Sequence, residues 1–257
     1  MRILLLLCLG GASAANMLEV RAKGFCEAPF EDCVNLVSAA IPADSSGHAV
    51  IRVNASSVNP SDVDSVEGGA CSLGCGADVA GTVVSCPGCT RLAVGDEVWA
   101  LGSHAYAEYA SMAETKAGVK PKSLTFTEAG SLPQAIVTSY LSLKRTDPVS
   151  PPGTPMPMGA PWQGKSNITV VVTAGSGGTG FTGIELAMAW GATNVITAST
   201  GEGIEFCYGL GATLVGGAPT LAPAFRRARC LPQGLGDACA PSVWMLTWQC
   251  RESTSGG

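Results

Sequence analysis

The run Ile168-Thr169-Val170-Val171-Val172-Thr173, followed by Ala174-Gly175-Ser176-Gly177-Gly178-Thr179-Gly180 and then Phe181 to Trp190, decides the fold. Residues 168–173 form a continuous apolar stretch rich in β-branched residues, the pattern of a strand buried on both faces of a parallel sheet. Gly175 follows at once, where the chain must turn sharply. Gly177 has no side chain to hold a bound group away from the backbone, and Gly180 lies where a helix must pack on the strand. The next ten residues put Ile184, Ala187 and Met188 on one helical face, and Gly191 ends the helix at its C′ position. Asn194 to Ala198 reads as a second strand, Ile204 to Leu210 as a second helix and Thr213 to Val215 as the opening of a third strand. The alternation is half of a doubly wound α/β fold. A glycine triplet alone is weak evidence, but with a strand before it and a helix after it the signal is strong. The unpaired N–H groups and positive end of the helix then face a phosphate.

Upstream, Ala49 to Ala55, Asp78 to Val84 and Glu97 to Leu101 are short runs rich in β-branched residues, separated by Gly, Pro and Ser, as in a small β-rich domain. Residues 127–143 carry a helical pattern through Ala135, Ile136, Ser139, Tyr140 and Leu143. Prolines at 148, 151, 152, 155, 157 and 161 exclude a helix across residues 144–166, which read as a linker or insertion.

Composition removes other classes. Twenty acidic against fifteen basic residues give a net charge of −5, so no basic face is available for nucleic acid. No stretch approaches the length of apolar residues that a spanning helix needs. Residues 1–15 have the three parts of a secretory signal peptide: Arg2, an apolar run from Ile3 to Leu9, and Ala12-Ser13-Ala14 as a cleavage site. The expectation is entry to the secretory pathway or an organelle, or a cytoplasmic protein if Met17 is the true start. The sequons Asn54-Ala55-Ser56 and Asn167-Ile168-Thr169 lie in or beside apolar strand-like runs and read as chance matches. Eleven cysteines are present without the arrangement of a compact disulfide scaffold, which favours free thiols or an incidental disulfide.

The end of the second strand bears on the ligand. A site that prefers NAD places a carboxylate there for the ribose hydroxyls. Here the strand ends Thr197-Ala198-Ser199-Thr200, and the hydroxyls of Ser199 and Thr200 favour NADPH, with NADH as the alternative.

The sequence resembles the medium-chain dehydrogenase/reductase superfamily in its zinc-independent quinone oxidoreductase (enoyl reductase-like) branch. The resemblance rests on Val53-Asn54-Ala55-Ser56-Ser57-Val58-Asn59-Pro60-Ser61-Asp62, on Gly76 to Gly81, on Val94-Gly95-Asp96-Glu97-Val98, on Ala105 to Tyr109, and on Leu132-Pro133 through Tyr140. It implies a GroES-like β-rich catalytic domain over residues 17–143 and a partial Rossmann domain over 167–216, with the active site in the cleft between them. It further implies hydride transfer from NADPH to a quinone or to the C=C bond of an α,β-unsaturated carbonyl. In this reading Asn59 and Asp62 line the cleft, Tyr106 is a candidate proton donor, and Thr138 lies near the nicotinamide. Gly175, Ser176, Gly177, Gly178, Thr179 and Gly180 hold the pyrophosphate, and full-length members form homodimers. Asn-Pro-x-Asp is equally good turn chemistry, and an aromatic in an apolar run is commonly a packing residue.

No zinc is expected. The Gly-His-Glu landmark of zinc-dependent members is replaced by Gly76-Ala77-Asp78, and His48 and His104 are the only histidines. Cys71, Cys75, Cys86 and Cys89 have a spacing that suits a structural zinc poorly. The resemblance ends after Val215, and residues 217–257 read as an irregular tail of a truncated, alternatively spliced or frame-shifted product. The third strand would then expose an apolar edge. Two classes of function follow: an NADPH-dependent reductase, or a non-catalytic, nucleotide-binding remnant of one. A secreted disulfide protein is a third.

Overall fold

The computed structural model describes residues 16–26, 30–145, 160, 162, 164–217 and 243–246. The chain divides between Gln134 and Ala135 into two compact units.

The first unit is β-rich. β1 (Asn16–Ala22) and β2 (Val34–Ala40) form an antiparallel pair. β3 (His48–Ala55), α1 (Pro60–Glu67), β4 (Asp78–Ser85), β5 (Glu97–Leu101), β6 (Tyr109–Ala113), β7 (Ala117–Val119) and α2 (Phe126–Gly130) follow. Five strands make one antiparallel sheet in the order β6-β3-β4-β5-β7. Its core is built from small and β-branched residues, among them Ala49, Ile51, Val79, Val83, Val98 and Ala110. Such residues suit a pleated, half-buried surface.

A second, smaller cluster holds Ala22, Cys33, Val66 and Cys75. Disulfides join Cys26 to Cys33 and Cys71 to Cys75 around it, and a third joins Cys86 to Cys89. The expectation of free thiols or an incidental disulfide is therefore corrected: among the described residues six cysteines pair, all over short loops, and Cys207 is a free thiol. In the sequence the paired cysteines carry no signature, because each partner is only three to seven residues away.

The second unit contains most of α3 (Pro133–Arg145), then β8 (Thr169–Val172), α4 (Gly178–Ala189), β9 (Asn194–Ala198), α5 (Gly203–Gly209), β10 (Leu214–Gly216) and β11 (Val243–Leu246). Its four strands are parallel in the order β10-β9-β8-β11, with Val243 opposite Thr169. Numbered within this unit the order is 3-2-1-4, that of the doubly wound nucleotide-binding fold. Val170, Val171 and Val172 are buried, as expected for a central parallel strand.

Three sequence readings change here. The 127–143 pattern is two helices, α2 and α3, broken at Ser131-Leu132 before Pro133. Residues 217–257 are not wholly irregular, since β11 lies among them and supplies a fourth strand beside β8. The 144–166 segment is not wholly linker. Its Trp162 is buried, donates its indole N–H to Trp190 O at 3.0 Å and meets the Trp190 ring edge-on at 5.9 Å. The prolines of that segment and the leader at 1–15 lie outside the described residues. Among the described residues no helix is long and apolar enough to cross a membrane.

Candidate functional site

The glycine turn is built by β8, β9 and the start of α4. The left-handed residue of the turn is Ala174, at φ +52°, not a glycine. The glycines have steric work instead. A Cβ on Gly175 would lie 2.8 Å from Thr197 Cγ2 and 2.9 Å from Cys207 Sγ, both buried. One on Gly180 would meet backbone at 2.8 Å, at Ala174 C and Gly175 Cα. Gly175 lets the turn close onto β9 and α5, and Gly180 lets the first turn of α4 sit against the Ala174–Gly175 backbone.

Gly177 and Gly178 differ. Both are exposed, and a Cβ on Gly178 would find its nearest neighbour only at 4.0 Å, on Ala135. Gly177 is the N-cap, and the helical ladder opens with Phe181 N–H donating to Gly177 O at 2.9 Å. The helix thus begins three residues earlier than the sequence pattern indicated, and the N–H groups of Gly178, Thr179 and Gly180 precede the ladder. A glycine-only surface beside these amides fits a pyrophosphate: charge meets N–H donors and no side chain intervenes.

Behind the turn, Ser199 Oγ donates to Ser176 Oγ at 2.8 Å. Ser199 is buried and its hydroxyl is engaged, while Thr200 is exposed. Of the two hydroxyls assigned to a 2′-phosphate, Thr200 alone is presented to solvent, and Glu202 beside it is also exposed. Cys207 lies under Gly175; burial pushes its thiol up, and a hydrogen bond involving Ser199 partly offsets this. Nothing in the sequence signals Cys207. Thr138, on α3, is half-buried. Its neighbour Ser139 is buried and shares a 2.7 Å hydrogen bond with Thr182 of α4.

The first unit gathers Asn59, Asp62 and Tyr106 into one polar cluster. Asn59 precedes α1, and its N–H donates to Asp62 Oδ2 at 2.8 Å while Asp62 N–H donates to Asn59 O at 2.9 Å. Asn59 Nδ2 donates to Asp78 Oδ2 at 2.8 Å and lies 3.3 Å from Asp62 Oδ2. Tyr106 OH lies 3.0 Å from Asp62 Oδ2 and 2.9 Å from Ser57 O. Its ring occupies the space beside Gly76, where a Cβ would come within 2.8 Å of the ring atoms Cγ and Cε1.

Sequence reasoning missed the centre of this cluster, Asp78. It is fully buried and accepts from Asn59 Nδ2, Ser57 Oγ and, at 2.7 Å, Gln134 N–H. A carboxylate opening the apolar run Asp78-Val79-Ala80 is the available signal, since a buried charge needs partners. Asp62 and Asp78 are held by uncharged donors. Burial, then the nearby carboxylates, push the Tyr106 phenol well above the usual tyrosine range, which makes it a weaker acid. The geometry supports a holding role for Tyr106, and both turn chemistry and a shared polar cluster for Asn59 and Asp62.

Cys71, Cys75, Cys86 and Cys89, whose spacing suits a structural zinc poorly, form two separate disulfides. Among the described residues no group of three or more metal-ligating side chains converges.

Residues 45–144 match the family model of the alcohol dehydrogenase GroES-like domain. The NADPH-dependent alkenal/one oxidoreductase of Arabidopsis thaliana chloroplasts is 30% identical over 222 residues, which is 79% of this chain and 53% of that protein. The 2-methylene-furan-3-one reductase of Solanum lycopersicum is 32% identical over 218 residues, 76% of this chain and 51% of that protein. The quinone oxidoreductase of Coxiella burnetii superposes with a TM-score of 0.65 at 24% identity, over 82% of this chain and 65% of that one. The chain spans about half the length of the curated relatives it matches. With a GroES-like β unit, a 3-2-1-4 parallel sheet and a glycine turn in sequence order, the chain has the fold of the medium-chain dehydrogenase/reductase superfamily and is similar in sequence to the quinone- and enone-reducing members named above.

Proposed function

We propose that this chain binds NADPH at Gly175–Gly180 and reduces a quinone or an α,β-unsaturated carbonyl by hydride transfer without a metal. The observation that carries the reading is the surface formed by Gly177 and Gly178, exposed and free of side chains, next to the unladdered N–H groups of α4. When bound, the nicotinamide supplies the hydride. The protein's part is to hold the pyrophosphate on the Gly178–Gly180 amides and the adenosine end near Thr200. The absence of a carboxylate at the end of β9 supports NADPH over NADH, and the exposed Glu202 weighs against it. Asn59, Asp62 and Tyr106 are assigned to the acceptor side, with Asp78 and Gln134 keeping them in register. Thr138 remains the candidate near the nicotinamide.

The domain reading is retained in corrected form: a leader over 1–15, a β-rich unit to Gln134, and a nucleotide unit that includes α3 and β11. The leader pattern and the three disulfides support passage through an oxidising compartment. NADPH consumption dependent on a quinone or enone, measured on the purified full chain, tests the proposal. A saturable NADPH-induced rise in melting temperature without turnover would instead identify a nucleotide-binding protein that is not a reductase. Neither signal would overturn both readings.

A further inference from the structure

Neither the nucleotide turn nor the polar cluster uses Asn167-Ile168-Thr169. At the sequence level this sequon reads as a chance match, because it abuts an apolar strand. The structure separates the acceptor from that strand. Ile168 is buried and Thr169 opens β8, but Asn167 is exposed together with Lys165 and Ser166. Its backbone is left-handed, at φ +56°, a conformation that Asn tolerates better than most residues. The buried neighbour fixes the turn: Ile168 O accepts from Thr193 N–H at 2.8 Å and from Asn194 N–H at 3.0 Å. The carboxamide therefore projects from a well-tied bend at the N-terminal end of β8. The nucleotide turn lies at the C-terminal end of the same strand, four residues or roughly 13 Å away. A large substituent at Asn167 leaves that turn open.

We propose that Asn167 is an acceptor of an N-linked oligosaccharide, an inference that rests on the leader and compartment reading above. The sequon and its exposed turn make the acceptor accessible, and the leader pattern and the three disulfides point to a compartment in which such a transfer takes place. In the transfer, Asn167 Nδ2 forms a bond to C1 of a lipid pyrophosphate-linked oligosaccharide. The C1–O bond to the pyrophosphate breaks, the amide proton passes to a base, and no oxidant or reductant is consumed. The other sequon differs: Asn54 lies inside β3, which pairs with β4 on one side and β6 on the other.

The test expresses the full chain in secretory eukaryotic cells, once with its own residues 1–15 and once with an established cleavable signal in their place. Peptide-N-glycosidase F treatment and mass spectrometry of the Asn167 peptide provide the readout, which needs no enzymatic turnover. Both versions are expected to shift in mobility on enzyme treatment and to yield aspartate at 167. Asn167→Asp, short and tolerant of the left-handed turn, and Thr169→Ala are each expected to abolish the mobility shift; Thr169→Ala also leaves Asn167 unconverted on the peptide, and Thr169→Ser keeps both signals. An unmodified Asn167 in lumenal protein carrying the established signal overturns the site itself. Modification with that signal but not with the native leader overturns the proposal through the compartment reading instead.

Discussion

Gly180→Ala and Gly178→Ala should move stability in opposite directions although the residues are two positions apart on the same helix. At Gly180 the new methyl would sit 2.8 Å from two backbone carbons, against an ordinary carbon contact of about 3.5–4.0 Å. Neither neighbour can rotate away, so the start of α4 must lift from the Ala174–Gly175 turn by roughly 1 Å. Overpacking of this kind costs about 1–3 kcal/mol, and a backbone clash belongs at the upper end. A loss of about 3 kcal/mol corresponds to roughly 6–12 °C in melting temperature for a chain of this size. At Gly178 the nearest atom is 4.0 Å away, and replacing Gly by Ala in a helix gains up to about 1 kcal/mol. The same methyl puts a side chain at the exposed, glycine-lined start of α4, so Gly178→Ala should blunt NADPH-induced stabilisation while leaving the apo protein intact. Urea unfolding followed by tryptophan fluorescence reads the second unit through Trp162 and Trp190 once Trp99 of β5, in the first unit, is replaced by Phe. If Gly178→Ala were as damaging as Gly180→Ala, the division into packing glycines and ligand-facing glycines would be refuted.

Other expectations follow from single sites. A thiol assay on the denatured chain should find at least six more thiols after reduction than before, two for each of the three disulfides among the described residues; an unchanged count contradicts the pairing. Tyr106→Phe should cost about 1–2 kcal/mol, because a buried carboxylate loses a donor. The Tyr106 phenol is raised when folded, so its contribution is fully present below the ordinary tyrosine value and is lost as pH climbs above it. Ultraviolet titration against the Phe variant should therefore show one phenol ionising late. Glu114 accepts from Thr90 N–H and Arg91 N–H, which lowers its carboxyl. Its stabilising effect is present above the ordinary glutamate value and lost as pH falls, so Glu114→Gln should flatten the acid limb of the stability profile.

The second unit was legible because its signals are local and mutually consistent. A β-branched run, three spaced glycines and a helix closed by Gly191 at φ +79° each point to the same βαβ unit. β3, β4 and β5 were legible for the same reason. β1 was not, because its pattern is inverted: Glu19 faces inward and is held by Arg21, while Leu18 is exposed. β11 was hidden by its four-residue length and by its distance in sequence from β8, its partner. The sequence pointed to Asn59, Asp62 and Tyr106, which the fold gathers into one polar cluster, but not to Asp78 and Gln134, which complete that cluster. Those links span 19 to 56 residues, and no local spacing records a hydrogen bond of that separation.

The nucleotide assignment is tested most directly by the melting temperature of the purified full chain titrated with NADPH, beside NADH and beside Gly178→Ala. The account predicts a saturable rise with NADPH, a smaller one with NADH and a diminished one in the variant. An unchanged melting temperature with both nucleotides, in a protein that melts cooperatively, would contradict it.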